Sequence, residues 1–170
     1  MKKLILMNPG PVNVTDKVRD AQLRGDLCHR ESEFSDLMWS IRNKLLQAFD
    51  IKEEYSAILI TGSGTAALEM AVSSCLTPER SILVIQNGAY GERISKMADA
   101  YRMKKHTLNY NWGETPKLNE VEQALQKNSS IEVIAMVHHE TTTGLLNPLS
   151  EITLLAKKYN KRLVIDCISS

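Results

Sequence analysis

The chain has 170 residues and a mass of 19.1 kDa, with 43% hydrophobic and 24% charged residues, a balance that suits a folded domain with a real core and argues against a disordered chain. Its 21 basic and 20 acidic residues leave a formal charge of +1, which argues against a surface built for nucleic acid or an anionic membrane.

The first residues, Met1-Lys-Lys-Leu-Ile-Leu-Met7, place two lysines before a short apolar run that stops at Asn8-Pro-Gly-Pro11. That run is too short for a secretory segment, and no stretch approaches the length of a membrane span, so a cytoplasmic location is expected. Cys28, Cys75 and Cys167 are odd in number and lie in no CxxC pattern. They read as reduced thiols rather than a disulfide framework or a zinc site. The two prolines around Gly10 force a rigid corner, either a plain loop or backbone laid against a ligand. Thr15-Asp16 reads as a helix start, continued by Val18, Ala21 and Gln22. The polar stretch Asp26–Ser32, with His29 beside Arg30, is irregular.

From Glu33, Phe34, Leu37, Met38, Ile41, Leu45, Leu46 and Phe49 recur at three- and four-residue steps, which predicts a long helix ending near Asp50. Ile58–Ile60 is the next expected strand, leading through Gly62-Ser-Gly-Thr65 into a helix with Ala66, Ala67, Met70, Ala71 and Cys75 on its packing face. Gly62 and Gly64 permit a tight strand-to-helix turn, and Ser63 and Thr65 offer capping hydroxyls. The first N–H groups of that helix form a ready anion site, although the same segment also suits an ordinary capped turn. Ser81–Gln86 is a continuous apolar run and so a strand buried on both faces. Asn87-Gly-Ala-Tyr-Gly91 turns the chain into a helix around Glu92–Tyr101. A strand over Lys104–Leu108, a loop over Tyr110–Pro116 and a helix over Asn119–Lys127 come next. Ile131–Val137 is a strand, His138–Gly144 a polar turn, Leu149–Tyr159 a helix and Arg162–Asp166 a last strand.

This alternation predicts an α/β fold: a mostly parallel sheet with helices on both faces and ligands at the carboxyl ends of its strands. Four loops there carry chemistry: Gly62–Thr65, Asn87–Tyr90, Glu140–Gly144 and Asp166. An anion cradle, an aromatic ring, a cluster of hydroxyls and a carboxylate together suit pyridoxal 5′-phosphate (PLP). The phosphate wants helix N–H groups, the pyridine ring a flat partner such as Tyr90, and its nitrogen an acid such as Asp166. A threonine from the 141–143 run would bond the ring's phenolic oxygen. Each feature also has a plain structural alternative: Asp166 as a helix cap, Tyr90 as core, the threonines as a turn. Other cofactor readings fit less well. There is no full G-x-G-x-x-G, no Walker lysine follows Gly64, and His138 and His139 lack further ligands at metal spacing.

At these residues the sequence resembles the 2-aminoethylphosphonate–pyruvate transaminases, in the class V branch of fold type I PLP enzymes. The resemblance is carried by Asn8-Pro-Gly-Pro11, Gly62-Ser-Gly-Thr-Ala66, Asn87-Gly-Ala-Tyr-Gly-Glu-Arg93, His139-Glu-Thr-Thr-Thr-Gly144 with Asn147-Pro148, and Asp166 before Ser169-Ser170. The related alanine–glyoxylate and serine–pyruvate transaminases share the pattern and commonly carry tryptophan where Tyr90 stands. The resemblance implies that Ser63, Gly64 and Thr65 hold the phosphate, Tyr90 stacks on the ring, Thr142 or Thr143 touches the ring oxygen, Asp166 pairs with the pyridine nitrogen, and Pro9, Gly10 and Pro11 border the substrate. It implies transfer of an amino group from 2-aminoethylphosphonate to pyruvate by a homodimer with sites at the subunit interface. Residues 1–170 correspond to the N-terminal part of the PLP-binding large domain, without the C-terminal small domain. The Schiff-base lysine is expected beyond Ser170, and none of Lys157, Lys158 and Lys161 is promoted to that role. Three readings follow: a truncated transaminase, half of a split enzyme, or a non-catalytic module that kept the fold.

Overall fold

The computed structural model of the protein describes residues 4–8, 10–51 and 54–170. The chain divides into two compact units, Met1–Thr61 and Gly62–Ser170.

In the first unit, helix α1 (Asp16–Ala21) starts where the Thr15-Asp16 pair places it. The Thr15 hydroxyl accepts from the Val18 N–H at 3.4 Å, and Arg19 reaches back to Asp16 at 2.7 Å. Helix α2 (Ser32–Ala48) carries the apolar stripe, with Phe34, Leu37 and Met38 half-buried and no residue fully buried. The expected strand at Ile58–Ile60 does not form, and Ile58 is 70% exposed. A strand exists through the hydrogen bonds of a neighbour, and this apolar run finds no ladder partner among the described residues.

The second unit runs α3 (Gly64–Ser73), β1 (Ser81–Gln86), α4 (Ala89–Ala100), β2 (Lys104–Asn109), α5 (Leu118–Lys127), β3 (Ile131–Val137), β4 (His139–Glu140), β5 (Leu145–Leu146), α6 (Leu149–Lys158) and β6 (Arg162–Asp166). Four strands pair in parallel in the order β2-β1-β3-β6, and β4 and β5 form a short antiparallel hairpin. This is the α/β sheet expected from the alternation of elements. The central strands β1 and β3 are buried almost throughout, as their unbroken apolar runs require.

Successive residues point to opposite faces, so each strand feeds two cores. Ile82, Val84, Val133, Ala135 and Val137 pack with Leu68 and Val72 of α3 and with Ile94 and Ala98 of α4. Leu83, Ile85, Ile131, Ile134 and Met136 pack with Val121 and Leu125 of α5 and with Ile152 and Ala156 of α6. The packing face of α3 differs in part from the small-residue face expected from the sequence, of which Cys75 is buried and Ala66 and Ala71 half-buried. Leu68, Val72 and Cys75 are buried, whereas Ala67 and Met70 are exposed. Leu68 and Val72 stand one turn apart on α3, Cys75 follows just past its end, and burying the two branched side chains removes more apolar area from water than burying alanines.

Helix α4 begins at Ala89, three residues before the expected Glu92. Gly91 lies inside the helix rather than in a turn, and a Cβ there would come within 2.8 Å of the Gln86 Cα. Glycine is required at this position for close approach of helix and strand.

Near the end of β2, Tyr110 packs against the α5–α6 core, and its N–H donates to the Gln86 carbonyl at 3.0 Å. Burial first, and the nearby Glu120 carboxylate second, push the Tyr110 phenol up to about 12. An acid whose folded pKa lies above its unfolded value, about 10 for tyrosine, favours the fold fully below the unfolded value. That contribution is lost as pH rises from about 10 towards 12. Alkaline unfolding should therefore show wild type losing more stability over this window than Tyr110→Phe, and parallel curves would contradict the assignment. No helix among the described residues is long and apolar enough to cross a membrane.

Candidate functional site

The sheet order places β1 beside β3, yet the chain leaves them in opposite directions. From β1 it runs through α4 to β2 at one edge, and from β3 through α6 to β6 at the other. Adjacent parallel strands whose connections diverge open a crevice at their carboxyl ends, the usual ligand position in such sheets. The Asn87–Tyr90 and His138–Asn147 segments leave this end of the sheet, with Asp166 in register beside Val137.

A pocket of about 160 Å³ there is lined by Gly64, Thr65, Leu68, Tyr90, Arg93, Asp166 and Ile168. A larger neighbouring cavity of about 280 Å³ shares Gly64, Leu68, Asp166 and Ile168, and continues along α3 and β6. Residues separated by a hundred positions thus meet in one cleft: the glycine-rich turn, the aromatic ring and the strand-end carboxylate.

At the α3 end, Ser63 occupies the N-cap position without a side-chain cap, and its carbonyl accepts from Ala66 and Ala67. The Gly64 and Thr65 N–H groups have no intrachain acceptor among the described residues, which leaves them available to an anion. Neither Gly62 nor Gly64 has positive φ. A Cβ at Gly64 would overlap the exposed Ile168 side chain across the cleft, so a larger residue there would displace Ile168.

Tyr90 sits in the first turn of α4, half-buried. The Arg93 guanidinium covers its ring at 4.6 Å and donates to the Thr65 hydroxyl at 3.0 Å. Arg93 makes no ion pair among the described residues and lines the same pocket. Its position one turn after Tyr90 was the signal in the sequence that could have found it.

Asp166 is 7% exposed and ends β6. Its Oδ1 accepts from the Ile168 N–H at 3.1 Å, while Oδ2 carries no hydrogen bond and the carboxylate has no cationic partner among the described residues. The carboxylate stands on the cleft wall, and its second oxygen can accept from a cationic donor placed in the cleft.

The threonine run is largely engaged with itself. Thr142 donates to Glu140 Oε1 at 2.6 Å and accepts from the Ala89 N–H at 3.3 Å. Thr143 donates to the Glu140 carbonyl at 3.3 Å, and Thr141 meets the Ser169 hydroxyl at 2.7 Å. The turn interpretation of this stretch holds for its hydrogen bonds, and neither Thr142 nor Thr143 lines the cleft. Gly10 and Pro11 are exposed in the first unit, and Pro9 lies outside the described residues. Lys158 pairs with Glu122 at 2.6 Å and Lys161 donates to the Ile131 carbonyl at the amino end of β3 at 2.6 Å, so both are already engaged.

The signature of the family described as aminotransferase class-V matches residues 17–170. The chain belongs to that family. It is 38% identical over 167 residues to the 2-aminoethylphosphonate–pyruvate transaminase of Vibrio vulnificus strain CMCP6, covering 98% of this chain and 45% of the relative. The corresponding protein of Bacillus cytotoxicus is also 38% identical, over 98% of this chain and 46% of its own length. Among solved structures, the alanine–glyoxylate aminotransferase of Nostoc sp. superposes with a TM-score of 0.86 at 28% identity, over 97% of this chain and 43% of that one. The chain therefore spans just under half the length of the curated relatives it matches. The α/β sheet described above is the one found in those aminotransferases.

Proposed function

We propose that this aminotransferase segment is the cofactor-binding part of a PLP-dependent transaminase that moves an amino group from 2-aminoethylphosphonate to pyruvate. The observation that carries the cofactor reading is Asp166: a carboxylate on the cleft wall with no cationic partner among the described residues, in the same cleft as two helix N–H groups that have no acceptor among them. The donor set fits the group at each end. The Gly64 and Thr65 N–H groups and the Ser63 and Thr65 hydroxyls would hold the phosphate, aided by the positive end of α3. Tyr90 would supply the flat face, braced from one side by Arg93. Asp166 Oδ2 would hold a proton on the pyridine nitrogen and so keep the ring cationic. Bound there, PLP would act as the electron sink for the carbanion formed at the amino carbon.

Cofactor contact from Thr142 or Thr143 is retained as part of the proposal, through a change of hydroxyl partner when the cleft is filled. The Pro9-Gly10-Pro11 corner would border the substrate, a lysine outside residues 1–170 would hold the cofactor covalently, and the complete protein would act as a homodimer. The names of the Vibrio vulnificus and Bacillus cytotoxicus relatives support 2-aminoethylphosphonate as donor, as does tyrosine rather than tryptophan at position 90.

The test is turnover by the complete, PLP-loaded protein, with 2-aminoethylphosphonate and pyruvate set against alanine with glyoxylate and serine with pyruvate. The expected result is the highest kcat/KM for the phosphonate pair, with alanine and phosphonoacetaldehyde as products. A preference for either other pair would move the donor assignment to the sister transaminases. No transamination with any pair would remove the catalytic reading altogether.

A further inference from the structure

We propose that Glu140 is a positioning residue for Tyr90, an inference that rests on the PLP reading of the cleft. Two helices begin at this end of the sheet, and their first N–H groups are treated differently. In α3 the Gly64 and Thr65 N–H groups are left without an intrachain acceptor among the described residues. In α4 all three leading N–H groups are satisfied from a single turn. Ala89 donates to the Thr142 hydroxyl at 3.3 Å, Tyr90 to Glu140 Oε1 at 3.3 Å, and Gly91 to Glu140 Oε2 at 3.1 Å.

Glu140 has no exposed surface. A buried carboxylate is costly unless its oxygens are hydrogen-bonded, and here both are, with the positive end of α4 adding to them. Its place beneath the helix depends on Gly88, because a Cβ there would overlap Glu140 Cγ and Cδ. The main chain of Glu140 is pinned as well, its carbonyl accepting from Gly144 at 2.8 Å. A second tie joins the same two segments: Asn87 Nδ2 donates to Asn147 Oδ1 at 2.8 Å, and Asn147 Nδ2 returns a bond to Asn87 Oδ1 at 3.3 Å.

Glu140 therefore acts as a built-in anion for α4, which leaves α3 as the helix whose N-terminus is free for the cofactor phosphate. It also bonds the backbone of the residue whose ring lines the cleft. With that bond in place the first turn of α4 cannot fray, and Tyr90 is held in line with Arg93 and Thr65. Glutamine at position 140 keeps the shape but puts an NH₂ group against one of these donors, so one arm of the cap becomes repulsive.

The experiment is a PLP titration of the complete protein and its Glu140→Gln, Tyr90→Ala and doubly substituted forms, with circular dichroism of the bound cofactor as a second signal. Hydrogen bonds to a charged group of this kind predict a loss of affinity of about tenfold or more in Glu140→Gln, with an altered cofactor dichroism. In the Tyr90→Ala background the same change should cost less than about threefold, because the backbone bond then positions no ring. Gly88→Ala, which displaces the carboxylate without removing it, should reproduce the affinity loss if Glu140→Gln fails to fold. Equal losses in both backgrounds, or unchanged affinity with only a lower Tm, would overturn the positioning role while leaving the cofactor reading intact. Wild type that binds no PLP would overturn both.

Discussion

Asp166→Asn in the complete protein is expected to retain the fold and lose transamination by on the order of 10²–10³-fold, the usual scale for removing a preorganised charge at a reacting group. The amide keeps an oxygen that can accept from the Ile168 N–H, as Oδ1 does at 3.1 Å, so the turn after β6 survives. What disappears is the negative charge facing the cleft, and with it the group proposed above to keep a pyridine nitrogen protonated. A carboxylate that served only as a turn cap would tolerate the change. The check is steady-state turnover alongside far-ultraviolet circular dichroism; near-normal kcat with an intact spectrum would remove Asp166 from the chemistry.

The second large effect is on stability. Ile134→Ala should cost about 2–5 kcal/mol, the range for large-to-small changes in a core that cannot collapse around the gap. Ile134 is fully buried at the centre of β3, opposite Leu83 on one neighbour and Leu163 on the other. Its side chain belongs to the core beneath α5 and α6, away from the cleft. The urea midpoint of the complete protein should fall, while cofactor affinity measured well below that midpoint stays unchanged. A drop in affinity without a shift in midpoint would mean that the two faces of the sheet are coupled more tightly than their separate cores imply.

The order of elements was readable because periodicity is a local property. The continuous apolar runs at Ser81–Gln86 and Ile131–Val137 became the two central strands, and Arg162–Asp166 became an edge strand. The glycine-rich turn, Tyr90 and Asp166 were also visible as separate features, each at the end of an expected strand or the start of a helix. Their convergence on one pocket follows from parallel strand pairing, which brings all carboxyl ends to the same side.

Where local reading failed, a partner distant in the chain was responsible. Ile58–Ile60 has the composition of a strand but no ladder partner among the described residues, and hydrogen bonding rather than composition makes a strand. The start of α4 moved from Glu92 to Ala89 because Glu140, about fifty residues later, supplies the acceptors for its first turn. In the Glu-Thr-Thr-Thr-Gly segment the threonines looked like the chemical group and the glutamate like a bystander. Burial reverses that order: a carboxylate without solvent must find donors, and those it finds belong to the backbone of Tyr90 and Gly91. Arg93 illustrates the same limit, since its contacts with both Tyr90 and Thr65 require α4 to lie beside α3.

The amino-acid order alone thus specifies the strands, the helices and the types of chemical group at the strand ends, because side-chain alternation and turn chemistry act over a few residues. Which helix N-terminus stays open, which carboxylate is left without a cation and which is consumed in a cap are settled only when the sheet assembles. Those outcomes depend on desolvation and on donors brought from far along the chain, and neither exists before the tertiary structure does.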